Sequence, residues 1–399
     1  MKRRAFLALA LAAPSVLAAP AASVTKKKPK KARVQGGGGR ASAENSALVA
    51  APEGSSATRL PPVKAPTLPN DWHSFALTFT ARPPAQSAPL RLWLPLPMQA
   101  SLYQRNSAFR WQGNFSRCGL HRLPDGELEA FFCDWPGDVA PHLEVVVTLT
   151  TADRHFDVSR RTQPPERDDI LRQSLRDAAQ LPNVGAAHEL ALRIVGRIID
   201  PLARARALFD WVVDESVYDL ALPPGGIGDA RAQIDARRYG GRSADINGLF
   251  VALCRAIGIP ARRVFGRRIA PSRLAICLGA GDEDVSAATH CRAEFYVPGY
   301  AWIPADPSDA CRVLHLENPA PGQRRALRRI LFGVWEMNWM AYNHAESPVL
   351  PDAPALPFFT APYLTHAGEA QGVLDAAELT WRMRSEALVL PEQGARDAK

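Results

Sequence analysis

The sequence predicts an α+β protein: an antiparallel β-sandwich, followed by a domain in which helices precede a run of antiparallel strands. Three observations carry that expectation. Residues 71–160 alternate apolar and polar residues in short runs, at 75–81, 90–94 and 143–150, separated by turns with Pro, Gly and Asn. Residues 165–260 switch to a helical period: Ile246, Leu249, Phe250, Leu253 and Ile257 follow i, i+3, i+4, i+7 and i+11. Strand-like runs then return at 261–269, 293–297 and 301–305.

The N-terminal segment reads differently. Lys2-Arg3-Arg4-Ala5-Phe6-Leu7 resembles a twin-arginine export signal, and an apolar run follows to about Ala19 with small residues for cleavage. The run is too short and too rich in Ala for a membrane span. Residues 1–22 are therefore expected to be a signal peptide, which places the mature protein in the periplasm or outside the cell. Residues 23–70 are expected to be a linker: Lys26-Lys27-Lys28-Pro29-Lys30-Lys31, then four glycines, then Ala, Ser and Pro, a composition unable to offset its ordering entropy. The formal charge of the 399 residues is +8, but residues 1–70 hold twelve Lys or Arg against two Glu. The remainder is close to neutral, which argues against a nucleic-acid face.

In the sandwich, Trp93, Trp111 and Trp135 are expected in the core. Cys118 and Cys133 fall in the same domain, where a bridge would be worth about 3 kcal/mol; no cysteine spacing resembles a zinc site. In the second domain, Asp200-Pro201 is a helix cap followed by a first-turn proline, and Leu202, Ala205, Phe209, Val212 and Ser216 mark a helical face. The next helix must start near Ser243 and end at Gly258-Ile259-Pro260.

Acyl transfer needs a nucleophile, a base, a group that orients the base, and donors for the oxyanion. A helix N-terminus favours both a thiolate and a developing oxyanion, and Ser243 stands there. His290 opens a strand and Asp306 closes the returning one. A three-residue loop at 297–299 would pair Tyr296 with Tyr300 and set His290 opposite Asp306 on one face; a two-residue loop would separate them.

Residues 240–262, Gly-Gly-Arg-Ser-Ala-Asp-Ile-Asn-Gly-Leu-Phe-Val-Ala-Leu-Cys-Arg-Ala-Ile-Gly-Ile-Pro-Ala-Arg, resemble the nucleophile helix of the bacterial transglutaminase-like superfamily. Thr289-His290 and Ala305-Asp306-Pro307 are similar to its His and Asp motifs. The resemblance implies a papain-like α+β core over 165–320, with a C-terminal extension, 321–399, packing on it. It implies thiol-dependent transamidation, hydrolysis or deamidation of protein or peptide amides, cell-wall peptide included. Ser243, His290 and Asp306 would be nucleophile, base and orienting acid. The family has a cysteine where this chain has Ser243, and a hydroxyl is not held as its anion beside an imidazolium. Cys254, eleven residues on, is about 16 Å along the helix and cannot substitute; Cys291 faces away from its neighbour His290.

Two functions stay open. One is an acyl-transfer enzyme impaired at its nucleophile. The other is a non-catalytic module that keeps the cleft and binds a peptide or cell-wall partner. Trp335, Trp339, Tyr342 and Asn343, with His344, form a cluster that is a candidate cleft wall or plain core. Asp245 is expected to serve the helix start or Arg262. No motif calls for a metal or cofactor.

Overall fold

The computed structural model describes residues 72–384 apart from 100, 124, 157–160, 162, 282–283, 367–368 and 374–378. The expected signal peptide and linker lie outside the described residues. The first strands are β1 (His73–Ala81), β2 (Leu90–Pro95), β3 (Gln104–Gly113), β4 (Arg117–Leu123), β5 (Leu128–Trp135), β6 (Leu143–Thr151) and β7 (Arg154–His155). Strict alternation sets their faces: Leu143, Val145, Val147 and Leu149 of β6 are buried while the residues between them are not. Trp93 and Trp135 are in the core as expected, whereas Trp111 is 44% exposed, its ring resting on Phe109 and Phe131.

The helical part follows: α1 (Asp168–Gln173), α2 (Ala186–Val195), α3 (Pro201–Glu215), α4 (Ala230–Ala236) and α5 (Ser243–Ala256), with the two-residue strands β8 (Val217–Tyr218) and β9 (Gly240–Gly241) between them. Asp200 caps α3, its carboxylate accepting from Ala203 N–H at 2.8 Å. All residues of α5 are buried, so this helix is the centre of the domain rather than an amphipathic cover. Strands β10 (Ala261–Arg268), β11 (Thr289–Val297) and β12 (Ala301–Ala305) lie across it, and α6 (Pro307–Leu316) and α7 (Pro321–Leu331) close the side. The remaining strands are β13 (Val334–Trp335), β14 (Trp339–Asn343), β15 (Tyr363–His366), β16 (Glu369–Val373) and β17 (Leu379–Arg384).

The sheet orders correct the expected role of the segment after 320. It does not only pack on the core. β14 joins the second sheet, in the order β12-β11-β10-β14, while β17-β1-β6-β3 and β16-β15-β2-β5-β4 are the two sandwich sheets. The C-terminal strands therefore pair with β1 and β2, whose outer backbone groups would otherwise stand as open edges. The sandwich and the second sheet also share an edge contact. The buried Gln104 side chain acts like a strand partner for β14: its amide donates to Ala341 O at 2.9 Å and accepts from Ala341 N–H at 2.7 Å.

Cys118 and Cys133 are direct partners on β4 and β5. Leu96 N–H donates to Glu129 O at 2.9 Å, which fixes the hydrogen-bond phase between β2 and β5. Counting along in twos turns the backbone of Cys133 toward Leu92 on β2. Toward β4 it is then a non-hydrogen-bonded pair, with Cα atoms about 4.5 Å apart, inside the range a disulfide spans. Both thiols face the sandwich core. Treating the full chain with a disulfide oxidant such as oxidised glutathione is expected to join them, with two thiols lost and two glutathione thiols released. Peptide mass mapping without reductant reads this out. Recovery of both residues as alkylatable thiols would refute it.

Candidate active site

The loop before α5 is built around Asp245. Its carboxylate accepts from Arg242 N–H (2.8 Å), Ile227 N–H (3.0 Å) and Gly228 N–H (2.6 Å). It thus serves the helix start, as half of a capping box, and its partners are backbone groups rather than Arg262. Burial nevertheless raises its pKa above the usual carboxylate value, against those three donors. Gly241 has φ +123°, and a Cβ there would sit 2.5 Å from the Asp245 carboxylate, so a side chain fits neither the backbone nor the space.

Ser243 is the first residue of α5, one past the cap position that its residue type favours. Its Oγ accepts from Cys291 N–H at 3.0 Å. The Gly225 carbonyl lies across the helix start, accepting from Ala244 N–H at 2.8 Å and standing 3.5 Å from Ser243 Oγ.

His290 and Asp306 meet as expected: His290 Nε2 is 2.8 Å from Asp306 Oδ2. They do so by a different register. The loop is 298–300, not 297–299: Val297 pairs with Ala301 and Tyr296 with Trp302. Pro298 explains the shift. As the second loop residue it would have disfavoured the helical conformation at Val297; as the first it supplies the fixed φ of a turn, followed by Gly299 at φ +84° and a Tyr300 N–H to Val297 O bond of 2.9 Å. The slip is by two residues, so the faces are unchanged. Asp306 also caps α6, its Oδ1 accepting from Asp309 N–H (3.1 Å), Ser308 Oγ (2.7 Å) and Asn247 Nδ2 (3.1 Å).

Three residues that the sequence did not single out complete the cluster. Asn247, one turn into α5, ties the helix to Cys291 O (2.6 Å) and Asp306. Arg268, at the end of β10, forms an ion pair with Asp309 and places Nη2 3.1 Å from His290 Nδ1 and 3.3 Å from Nε2. With Nε2–H given to Asp306, Nδ1 is the acceptor of the ring; the guanidinium nitrogen, nearly equidistant from both ring nitrogens, lies against the ring rather than along the Nδ1 lone pair. Burial pushes the His290 imidazole well below its ordinary value; Arg268 adds to this, Asp309 opposes it and Arg292 adds again. The imidazole is neutral and resists a proton. Arg268 stays charged: burial works against it, but Asp309, with Asp306 adding, holds the guanidinium above its ordinary value.

Ser243 and His290 are each 2% exposed, and Asp306 is fully buried. His290, Asp306 and Asp309 bring donor atoms close enough for one metal ion, but Arg268 pairs with Asp309 and Arg292 Nε stands 3.7 Å from Asp306, so guanidinium groups already supply the cations. The gap between Arg292, Asp306, Asp309 and Trp335 has about 0 Å³ of room for a water-sized sphere.

Trp335, Trp339, Tyr342 and Asn343 are buried in the core rather than along an open cleft. Trp335 and Trp339 pack with Tyr103 against the sandwich, Tyr342 OH accepts from Arg267 Nε at 3.2 Å, and Asn343 holds Phe359 O at 2.9 Å. Nor does another thiol take over. Burial raises Cys254 and Cys291 above the ordinary thiol value and pushes Cys277 and Cys311 up to about 12.

Comparison with known proteins gives three findings. Residues 188–307 match the family model of the transglutaminase-like superfamily. A Haemophilus influenzae protein described as uncharacterized is 28% identical over 349 residues, 81% of this chain and 94% of its own. Among solved structures, a candidate cysteine protease from Cytophaga hutchinsonii aligns over 79% of this chain and 99% of its own, at 15% identity and a TM-score of 0.46. The periplasmic domain of TgpA from Pseudomonas aeruginosa covers 62% of this chain and 93% of its own, at 17% identity and a TM-score of 0.33.

Proposed function

We propose that this chain, which carries a transglutaminase-like domain at residues 188–307, is an exported member of that fold that binds a peptide or cell-wall peptide partner without cleaving it. The observation that carries the reading is the pairing of Arg268 with the ring nitrogens of His290. A general base must have a free lone pair and an appetite for a proton. His290 has the Arg268 guanidinium against its ring, and burial and that cation hold its imidazole neutral. Ser243 compounds this, since a hydroxyl depends on that base far more than a thiol does. The Gly225 carbonyl at the helix start and the burial of all three residues act in the same direction. Export rests on the twin-arginine-like N-terminus; among the described residues no helix is long and apolar enough to cross a membrane.

The purified mature protein and its Ser243→Ala variant are expected to show the same background rate of amide hydrolysis and of amine incorporation into a glutamine-containing protein. A wild-type rate clearly above that of Ser243→Ala would overturn the reading and restore serine-dependent acyl transfer.

A further inference from the structure

Arg255 stands apart from four other buried arginines. It is 6% exposed, in the last turn of α5. Arg154, Arg263, Arg268 and Arg292 each have a carboxylate within ion-pair distance: Glu294, Glu346, Asp309 and Asp306. Arg255 has none among the described residues. Its Nε donates to Ala261 O at 2.7 Å and its Nη1 to Arg176 O at 3.2 Å, both neutral carbonyls. Burial drives the guanidinium below its ordinary value, with Glu346 offsetting part of this from a distance and Arg263 adding to it. A buried cation without a counter-charge is expensive unless something supplies one.

Arg255 lines a cavity of about 190 Å³, whose wall also holds Arg176, His344 and Arg262, the last already paired with Glu294 at 2.5 Å. Gly126 and Ala345 form part of the same wall, so the cavity lies where the sandwich meets the helical domain, a common place for ligand sites. His344 wants an acceptor too. Arg262 Nη1 lies 3.3 Å from its Nε2, which makes Nδ1 the protonated nitrogen, and Nδ1 meets no partner among the described residues. The carboxylates of the wall are Asp177 and Glu346, and both are engaged. Glu346 forms a two-pronged pair with Arg263, and Asp177 accepts from Asn183 N–H at 3.0 Å and faces Arg231.

From this surplus of donors we infer that the cavity is a binding site for a carboxylate: a small molecule or peptide end bearing a free carboxylate and one compact side chain. At roughly 30 Å³ per water the space equals about six waters, enough for one amino-acid residue. Arg255 is twelve residues along α5 from Ser243, about 18 Å. The site is therefore separate from the Ser243 cluster and stands whether or not that cluster is silent.

The test titrates the full chain with N-acetylalanine, N-acetylalaninamide and free alanine, by calorimetry and by NMR on the Arg255 Nε–H resonance. The acetylated acid is expected to bind at least ~10-fold more tightly than its amide and to shift that resonance. Arg176→Ala, at the exposed rim, is expected to weaken it several-fold, and Arg255→Met to abolish it. Alanine binding more tightly than N-acetylalanine would mark the occupant as a free amino acid; the reverse would mark it as a chain end; either supports a carboxylate site. Acid and amide binding equally, no binding of the acid, or shifts that map away from Arg255 and His344 would overturn it. Should Arg255→Met fail to fold, the wild-type shift map and Arg176→Ala decide.

Discussion

Ser243→Cys alone is expected to stay near background in amide hydrolysis, while Ser243→Cys combined with Arg268→Met and Asp309→Asn gains at least ~10²-fold over it. The thiol alone restores the nucleophile but not its base, because the Arg268 cation still stands against the His290 ring. Removing the guanidinium lifts the largest charge that opposes an imidazolium. Converting Asp309 to Asn avoids leaving its carboxylate buried and alone, and keeps its shape beside His290, whose Nε2 is 3.5 Å from Asp309 Oδ1. A working general base contributes typically 10²–10⁴-fold, which sets the scale of the gain. The assay is single-turnover release from an activated amide, with folding checked by circular dichroism. Equal rates for the single and triple variants, both folded, would show that Arg268 is not what disables His290.

The second large effect is on stability. Arg268→Met is expected to cost about 3–5 kcal/mol, since it strands Asp309, 2% exposed, without its cation. The melting temperature should fall by on the order of 10 °C. Arg268→Met with Asp309→Asn should recover most of that loss, because the uncompensated charge and not the missing contact is the main cost. Thermal melts of the two variants beside wild type read this directly. A loss below about 1 kcal/mol for the single variant would mean that the pair is solvated rather than buried as the structure has it.

The site shows how sequence signals divide between legible and hidden. Asp200-Pro201 and Asp306-Pro307 carry the same helix-start signature, an N-cap acid before a first-turn proline, and both do cap helices. At 306 the cap coincides with the partner of His290, so one carboxylate serves fold and cluster together. A reading of Asp306 as orienting acid alone passes over α6. Asn247 was visible in the motif but silent in its role, because its three contacts are to residues 291, 306 and 308 on other elements.

By itself the sequence determined the α+β plan, the limits of α3 and α5 and the strands on either side of the 298–300 turn, and, given a loop of odd length, the face that His290 shares with Asp306. Each of those follows from a local rule: period, cap chemistry, or the two-residue parity that puts side chains on one face of a strand whatever even shift the turn imposes. Only the tertiary structure decided that the last strands complete the sandwich, that the Trp335–Asn343 cluster is core, and that Arg268 is seated on His290. Those outcomes depend on backbone edges and buried charges finding partners far along the chain. Their free energy is set by desolvation and pairing in three dimensions, and no spacing in the sequence records it.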